Sequence, residues 1–367
     1  MVKRFFLNVG IISVSLLAVA LFLELIVFRY WFPAAQLPRL ADTNPGQVLK
    51  FQPQQEGIYR VKNEIAANFR INKQGWNSGH ESYQHVREKD NLLAAIIGDS
   101  YIEALQVDYD QSMAERLETL TDSSLTVYRF GVSGAPLSQY LHMYQNEVRP
   151  YKPDYVVFLL IHNDFKESIV GTQIGLYTAS FAKWQTNIDG TIGAMRSPSP
   201  YKAGIATIVR STNIYGFLVV RMRVNVTNLK RRVLTWLQDD SVKTNTHIAN
   251  IEIFDLNTEL LTNIADKFFA TLASLEKSDD VQFIAIMDGP RGLDAEGCRR
   301  KGHAGIRRMN NLVSTISDKH KIEFLDLTPS FLEAACKNKQ GLRFTTDGHW
   351  NKTAHDVAAA ALKRKYF

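Results

Sequence analysis

Residues 92–100 read Leu-Leu-Ala-Ala-Ile-Ile-Gly-Asp-Ser, an unbroken apolar run that ends in a glycine, an acid and a hydroxyl. A short apolar run without polar alternation has the character of a strand covered on both faces, as in a parallel sheet. The next residues, Tyr101-Ile102-Glu103-Ala104-Leu105, switch to helical spacing, so Gly-Asp-Ser falls at a strand-to-helix turn. Four more runs of the same kind follow at Leu125–Phe130, Tyr155–Ile161, Val281–Met287 and Glu323–Leu327. Helical patterns lie between most of them, at Ser112–Leu120, Leu137–Val148, Leu256–Leu275 and Gly305–Ser317. Strands alternating with helices predict a three-layer α/β/α domain on a parallel sheet. The chain has no repeats and no low-complexity tract. Residues 165–250 are too long for a simple crossover and read as an insertion or lid, helical in its second half.

Upstream of this domain the chain changes character. From Phe5 to Leu23 there are 19 residues without a charge, and the apolar run continues past Glu24 to Phe28. That is long enough to cross a hydrocarbon core of about 30 Å. It ends in Arg29-Tyr30-Trp31-Phe32-Pro33, an aromatic girdle suited to headgroups, which favours a retained anchor over a cleaved signal peptide. Lys3 and Arg4 place the N-terminus in the cytoplasm and the bulk of the chain outside it. Glu24, near the outer end of the span, reads as a snorkelling interfacial residue. Residues 33–91, with Pro33, Pro38, Pro45 and Pro53, read as an extended stalk leading into an irregular cap. The expected organisation is therefore an anchor over 1–32, a stalk and cap over 33–91 and the α/β/α domain over 92–367.

Composition excludes several classes. With 22% charged and 11% aromatic residues in 367, the chain is neither disordered nor of low complexity. A net charge of +6 gives nucleic-acid binding little support. Two cysteines exclude a disulfide scaffold and a four-cysteine zinc site. Cys298 and Cys336 can join across the outer face of the domain in an oxidising compartment, and neither has the neighbours of a nucleophile. Between Ile205 and Trp236, Ile208, Tyr215, Val219, Met222, Val226, Leu229 and Val233 recur at helical spacing beside Arg221, Arg223, Lys230, Arg231 and Arg232. Such a helix either lies on an anionic membrane or acidic polymer, or packs on the domain with a solvated basic face; packing is the commoner outcome. Asn225-Val226-Thr227 and Asn351-Lys352-Thr353 match the glycosylation sequon. A glycan on Asn351 would obstruct the site proposed below, which favours a bacterial origin.

In α/β sheets, ligands bind outside the carboxyl ends of the strands. Ser100 at the first strand end is held exposed near a helix N-terminus, where developing negative charge is favoured, although an ordinary N-cap serine also suits that position. The second strand runs into Phe130-Gly131-Val132-Ser133-Gly134, whose glycines let a backbone N–H approach a substrate. The third ends in Ile161-His162-Asn163-Asp164, where the Asn amide can donate to an oxyanion. Near the C-terminus, Thr345-Thr346-Asp347-Gly348-His349-Trp350-Asn351 precedes a helix over Ala354–Lys363. Asp347 and His349 fit a base with its orienting carboxylate. With His355 they lack the i, i+4 spacing of zinc ligands on a helix, so no metal is expected.

Taken together, Gly98-Asp99-Ser100, Gly131-Val132-Ser133-Gly134, Asn163-Asp164 and Asp347-Gly348-His349 resemble the four blocks of the SGNH/GDSL hydrolases, over roughly residues 92–362. The resemblance implies a flavodoxin-like sheet and carboxyl-ester chemistry without a cofactor. Carried over, Ser100 is the nucleophile, His349 its base and Asp347 the orienting acid. The Ser100 and Gly134 amides and the Asn163 side chain form the oxyanion hole, and Asp99 braces the loop. The family's commoner spacing is Asp-x-x-His; here only Gly348 intervenes, and the following Trp350 resembles membrane-linked polysaccharide O-acetyltransferases and acetylesterases. His162 stands where the third block usually has Gly, making the pocket wall bulkier. His355 is expected near the site or at the surface. The implied protein is an inner-membrane, periplasm-facing enzyme acting on acyl, chiefly O-acetyl, esters of a polysaccharide by hydrolysis or transfer. A catalytically idle glycan-binding or export-scaffold domain is the alternative.

Overall fold

In the computed structural model the five apolar runs lie side by side as one parallel sheet. The structure describes residues 2–86, 91–122, 124–172, 177–224, 258–291, 304–338 and 341–367. The chain begins with helix α1 (Val2–Phe22), which continues as a wider π-helical stretch over Leu23–Trp31. An antiparallel hairpin of β1 (Gln55–Val61) and β2 (Ile65–Ile71) comes next. Then follow β3 (Leu92–Gly98), α2 (Ser100–Glu103), α3 (Met113–Leu120), β4 (Leu125–Gly131), α4 (Leu137–Met143), β5 (Tyr155–Leu160) and α5 (His162–Glu167). The insertion contributes a small hairpin, β6 (Lys183–Thr186) and β7 (Ile192–Arg196), and helices α6 (Ile205–Arg210) and α7 (Asn213–Tyr215), the latter running on as a π-helix to Arg221. The chain closes with α8 (Thr258–Asp279), β8 (Gln282–Met287), α9 (Ala304–His320), β9 (Glu323–Asp326), α10 (Thr328–Asn338) and α11 (Lys352–Tyr366).

The sheet order is β4-β3-β5-β8-β9, with every neighbouring pair parallel. This is the flavodoxin-like order, in which the first strand lies between the second and third, so the chain reverses direction across the sheet beside β3. A crevice opens at such a point. The strand period of two divides each strand between two cores. Leu93, Ala95 and Ile97 of β3 join Phe158 and Phe268 on one face, while Ala94 and Ile96 join Leu117, Ala358 and Leu362 on the other. Each large side chain so buried contributes about 1.5–3 kcal/mol.

Gly98 and Gly131 are paired in register at the ends of β3 and β4. A Cβ on Gly131 would lie 2.1 Å from the Glu103 nitrogen, so α2 can rest directly on the end of β4 only because a glycine is there.

Three expectations are corrected. Residues 33–86 are no stalk: Leu40, Val48, Leu49 and Phe51 are buried in the main core, and the β1–β2 hairpin adds Val61, Phe69 and Ile71 to it. The helix expected from Ile205 is broken at Ser211 and Thr212, because the Thr212 side chain accepts the Tyr215 N–H and starts a new helix there. Its continuation through Val226, Leu229 and Val233 lies outside the described residues. Glu24 does not reach for water; its carboxylate accepts the backbone N–H groups of Asn213 and Ile214 at 2.8 and 2.9 Å.

Val2–Trp31 is long and apolar enough, by length and composition, to cross a membrane.

Candidate active site

Ser100 opens α2 directly after β3, and Asp99 is the residue that starts the helix. The Asp99 carboxylate accepts the Tyr101 N–H at 3.0 Å and lies 3.3 Å from Ser100 Oγ, farther than His349 Nε2 does. Asp99 is buried, and that burial raises its pKa to about 6, although the His349 and Arg291 charges pull it down.

The other half of the site comes from the segment before α11. Phe344 N–H and Gly348 N–H close a turn on His349 O and Phe344 O at 2.9 and 3.1 Å. Gly348 takes φ +87°, a left-handed conformation that a residue with a side chain adopts at a cost. This turn puts the side chains of Asp347 and His349 on one side with a single residue between them. Asp347 is hydrogen-bonded to His349 Nδ1, and His349 Nε2 is 2.9 Å from Ser100 Oγ. With Nδ1–H donating to the carboxylate, Nε2 is left to accept the serine proton. Burial lowers the His349 pKa to about 4, with the Arg291 and Arg223 charges adding to the fall and Asp99 and Glu103 opposing it. The imidazole is therefore neutral at neutral pH, as a base must be.

Ser100 and His349, 249 residues apart in sequence, thus lie within hydrogen-bonding distance, with Asp347 on the far side of the imidazole. Of the expected oxyanion donors, Gly134 follows β4 with φ +77°, and its N–H has no acceptor among the described residues. Asn163 lies in the first turn of α5, where its Nδ2 donates to Glu167 at 2.8 Å and lies 3.5 Å from Asp164 Oδ1, so only the weaker of the two contacts would have to yield for it to meet an oxyanion. His162 does not line the cavity beside the triad. It is buried against α9, its Nε2 2.9 Å from Asn310 Oδ1, and burial lowers its pKa to about 4. His355 is also buried, not at the surface: its Nδ1 accepts the Met113 N–H at 3.2 Å and its ring stands edge-on to Trp350.

Several functional residues were not evident in the sequence. Arg223, from the insertion, pairs with the Asp347 oxygen that His349 does not use and reaches Tyr59 of β1 at 3.4 Å. Glu64, in the β1–β2 turn, accepts both N–H groups and both hydroxyls of Thr345 and Thr346. Partial desolvation acts to raise the Glu64 pKa, but these bonds outweigh it and bring it down to about 2. Beneath the loop, Trp350 Nε1 donates to Asp288 at 3.0 Å, and Arg291 donates to Asp288 at 2.7 Å and to the Tyr101 hydroxyl. Glu103 accepts the Ser133 N–H and hydroxyl at 2.6 and 2.8 Å, and its burial raises its pKa to about 7. An acid three residues after the serine, on a helix facing the sheet, was the only signal for it.

A cavity of about 220 Å³ opens beside His349, walled by Leu37, Leu40, Tyr59 and Tyr177 with Glu103 and Arg223 as polar members. Among the described residues, no group of three His, Cys, Asp or Glu side chains is disposed to hold a metal. No described cysteine is free; Cys336 lies on α10 and Cys298 lies outside the described residues.

No family model matches the chain, and no curated protein sequence matches it either. Solved structures similar to it include an acetyl xylan esterase at 12% identity, covering 75% of this chain and 100% of that one with a TM-score of 0.38. A catalytic mutant of an acetylxylan esterase from Geobacillus stearothermophilus, at 14% identity, covers 77% of this chain and 97% of its own with a TM-score of 0.39. A lipolytic protein of the G-D-S-L family from Veillonella parvula, at 10% identity, covers 75% and 98% with a TM-score of 0.38. Likeness at this level leaves the activity to be argued from the site.

Proposed function

We propose that the protein is a serine esterase or acyltransferase of the SGNH type, carried on a membrane helix and acting on O-acyl esters of an extracytoplasmic polysaccharide. The observation that carries this reading is the 2.9 Å approach of His349 Nε2 to Ser100 Oγ, with Nδ1 held by Asp347. Ser100 Oγ attacks the ester carbonyl while His349 takes its proton. The oxyanion is met by the Ser100 and Gly134 N–H groups and the Asn163 amide, donors of a kind whose individual loss costs about 10²–10³ in rate. His349 then protonates the departing sugar oxygen, leaving the acyl group on Ser100. Water or a second sugar hydroxyl, deprotonated by His349, attacks that acyl-serine and restores the enzyme. The choice of an acetyl group rests on the likeness of Asp347-Gly348-His349-Trp350 to membrane-linked acetylation enzymes.

The test is acetate release from 4-nitrophenyl acetate and from an O-acetylated polysaccharide by the full chain in detergent, beside Ser100→Ala and His349→Ala. The full chain is required, because Val27 and Phe28 at the end of the anchor pack against Ala34. Release by the wild type and its loss in both variants supports the reading; equal release by all three refutes it.

A further inference from the structure

We infer that α6 and the start of α7 lie in the interfacial layer of the bilayer that holds α1, and that the triad cavity opens toward that layer, so that the ester substrate is one presented at the membrane surface. This inference rests on the anchored-esterase reading and deepens it. The first observation is the level at which the insertion meets the anchor. The Asn213 and Ile214 N–H groups sit on the Glu24 carboxylate, Asn213 Nδ2 donates to Glu24 O at 3.1 Å, and Phe217 stacks on Phe28 with ring centres 4.3 Å apart. Glu24 precedes Trp31 by seven residues, more than one turn of the π-helical stretch. With the Tyr30-Trp31-Phe32 girdle at the headgroups, the start of α7 lies deeper than the girdle, at the edge of the hydrocarbon.

The second observation is what α6 exposes there. It has no buried residue, and Ile205, Ile208 and Val209 are 81%, 68% and 50% exposed. Apolar side chains this open are costly in water and fit the acyl boundary, where amphipathic helices bury their apolar face by about 5–10 Å. Lys202 and Arg210 flank them, Lys202 at 3.8 Å from Asp42 and Arg210 against Tyr177. The third is continuity with the site. A small cavity lined by Thr207, Arg210 and Ser211 of the α6 end shares Leu37, Pro38, Leu40 and Tyr177 with the triad cavity. The same four residues thus wall both the cavity beside His349 and the one beside α6, and these largely apolar walls suit an amphiphile-borne ester better than a fully hydrated one.

The experiment uses the full chain in vesicles of phosphatidylcholine and phosphatidylglycerol, part of the phosphatidylcholine brominated on its acyl chains, with indole fluorescence as the readout. The indole added by Ile208→Trp should be quenched roughly twofold, while that added by Val86→Trp, near the start of β3 and away from the strand ends that carry the site, should not. Trp31 tests the anchor separately: the quenchable share of wild-type fluorescence should fall in Trp31→Phe. Quenching of Trp31 without quenching of the Ile208→Trp indole overturns the inference and leaves the anchor standing; quenching of neither overturns both. In the same vesicles, Ile205→Asp with Ile208→Asp should slow turnover of an acetyl ester on a lipid-anchored sugar roughly tenfold and leave soluble 4-nitrophenyl acetate turnover unchanged. Equal rates of the variant and the wild type on both esters would contradict it.

Discussion

The two halves of the site are held in different ways. Ser100 belongs to the sheet: it follows a strand buried on both faces, begins a helix pressed onto Gly131, and is braced by its own neighbour Asp99. Asp347 and His349 belong to a loop before the last helix, and what holds them from outside comes from elsewhere in the chain. Glu64 reaches Thr345 of that loop from the β1–β2 turn, 281 residues earlier, and Arg223 reaches Asp347 from the insertion, 124 residues earlier. The proposed nucleophile is a product of the core fold, while the proposed acid–base pair depends on appended segments. A change in those segments should alter proton transfer without disturbing the sheet.

That contrast can be broken at either end. Gly131→Ala should have the largest effect on folding. Its Cβ meets the backbone of Ile102 and Glu103, which has little freedom to move, so we expect a loss of about 3 kcal/mol or more, read as a fall in thermal midpoint. If Gly131→Ala folds and works normally, the nucleophile is not positioned by that contact. Arg223→Ala should keep the fold and lower kcat about 10²-fold with KM little changed, because a small misplacement of His349 is enough to slow the reaction. It should also move the acid limb of kcat/KM upward from about 4, since the Arg223 charge lowers the His349 pKa. An unchanged limb would separate Arg223 from the imidazole.

Glu103 tests the sheet side through pH. Burial raises its pKa to about 7, above its unfolded value, so its contribution to stability is present below the unfolded pKa and is lost as pH rises through about 7. The loss is on the order of 2 kcal/mol. Chemical denaturation between pH 5 and pH 8 should show it, and Glu103→Gln should flatten the slope. The smallest effect is expected at Glu64→Gln, which keeps the shape but weakens four hydrogen bonds to Thr345 and Thr346. About a tenfold loss in kcat is expected there, with the thermal midpoint nearly unmoved. A large fall in midpoint would make Glu64 a fold residue instead.

The same contrast explains what the sequence made legible. The five strands could be read because burial on both faces leaves continuous apolar runs such as Leu92–Ile97, and the blocks that follow them lie at strand ends, where the fold places ligands. Asp347 and His349 could be read because one short turn carries both. Arg223 and Glu64 could not. Each is an ordinary charged residue in its own stretch, and only the folded topology brings it to the loop. The segment around Leu40 and Phe51 was hidden for another reason, since isolated apolar residues between prolines carry no period. Glu24 looked like an interfacial residue because its partners, the Asn213 and Ile214 amides, are backbone groups that leave no mark in the sequence.

The central claim is that Ser100 is a nucleophile activated by His349. The direct measurement is the rate of fluorophosphonate labelling of the full chain, with the labelled residue located by peptide mass spectrometry. The account predicts labelling at Ser100 that is slowed in Arg223→Ala and abolished in His349→Ala. Labelling at another residue, or labelling of Ser100 at the same rate in His349→Ala, would contradict it.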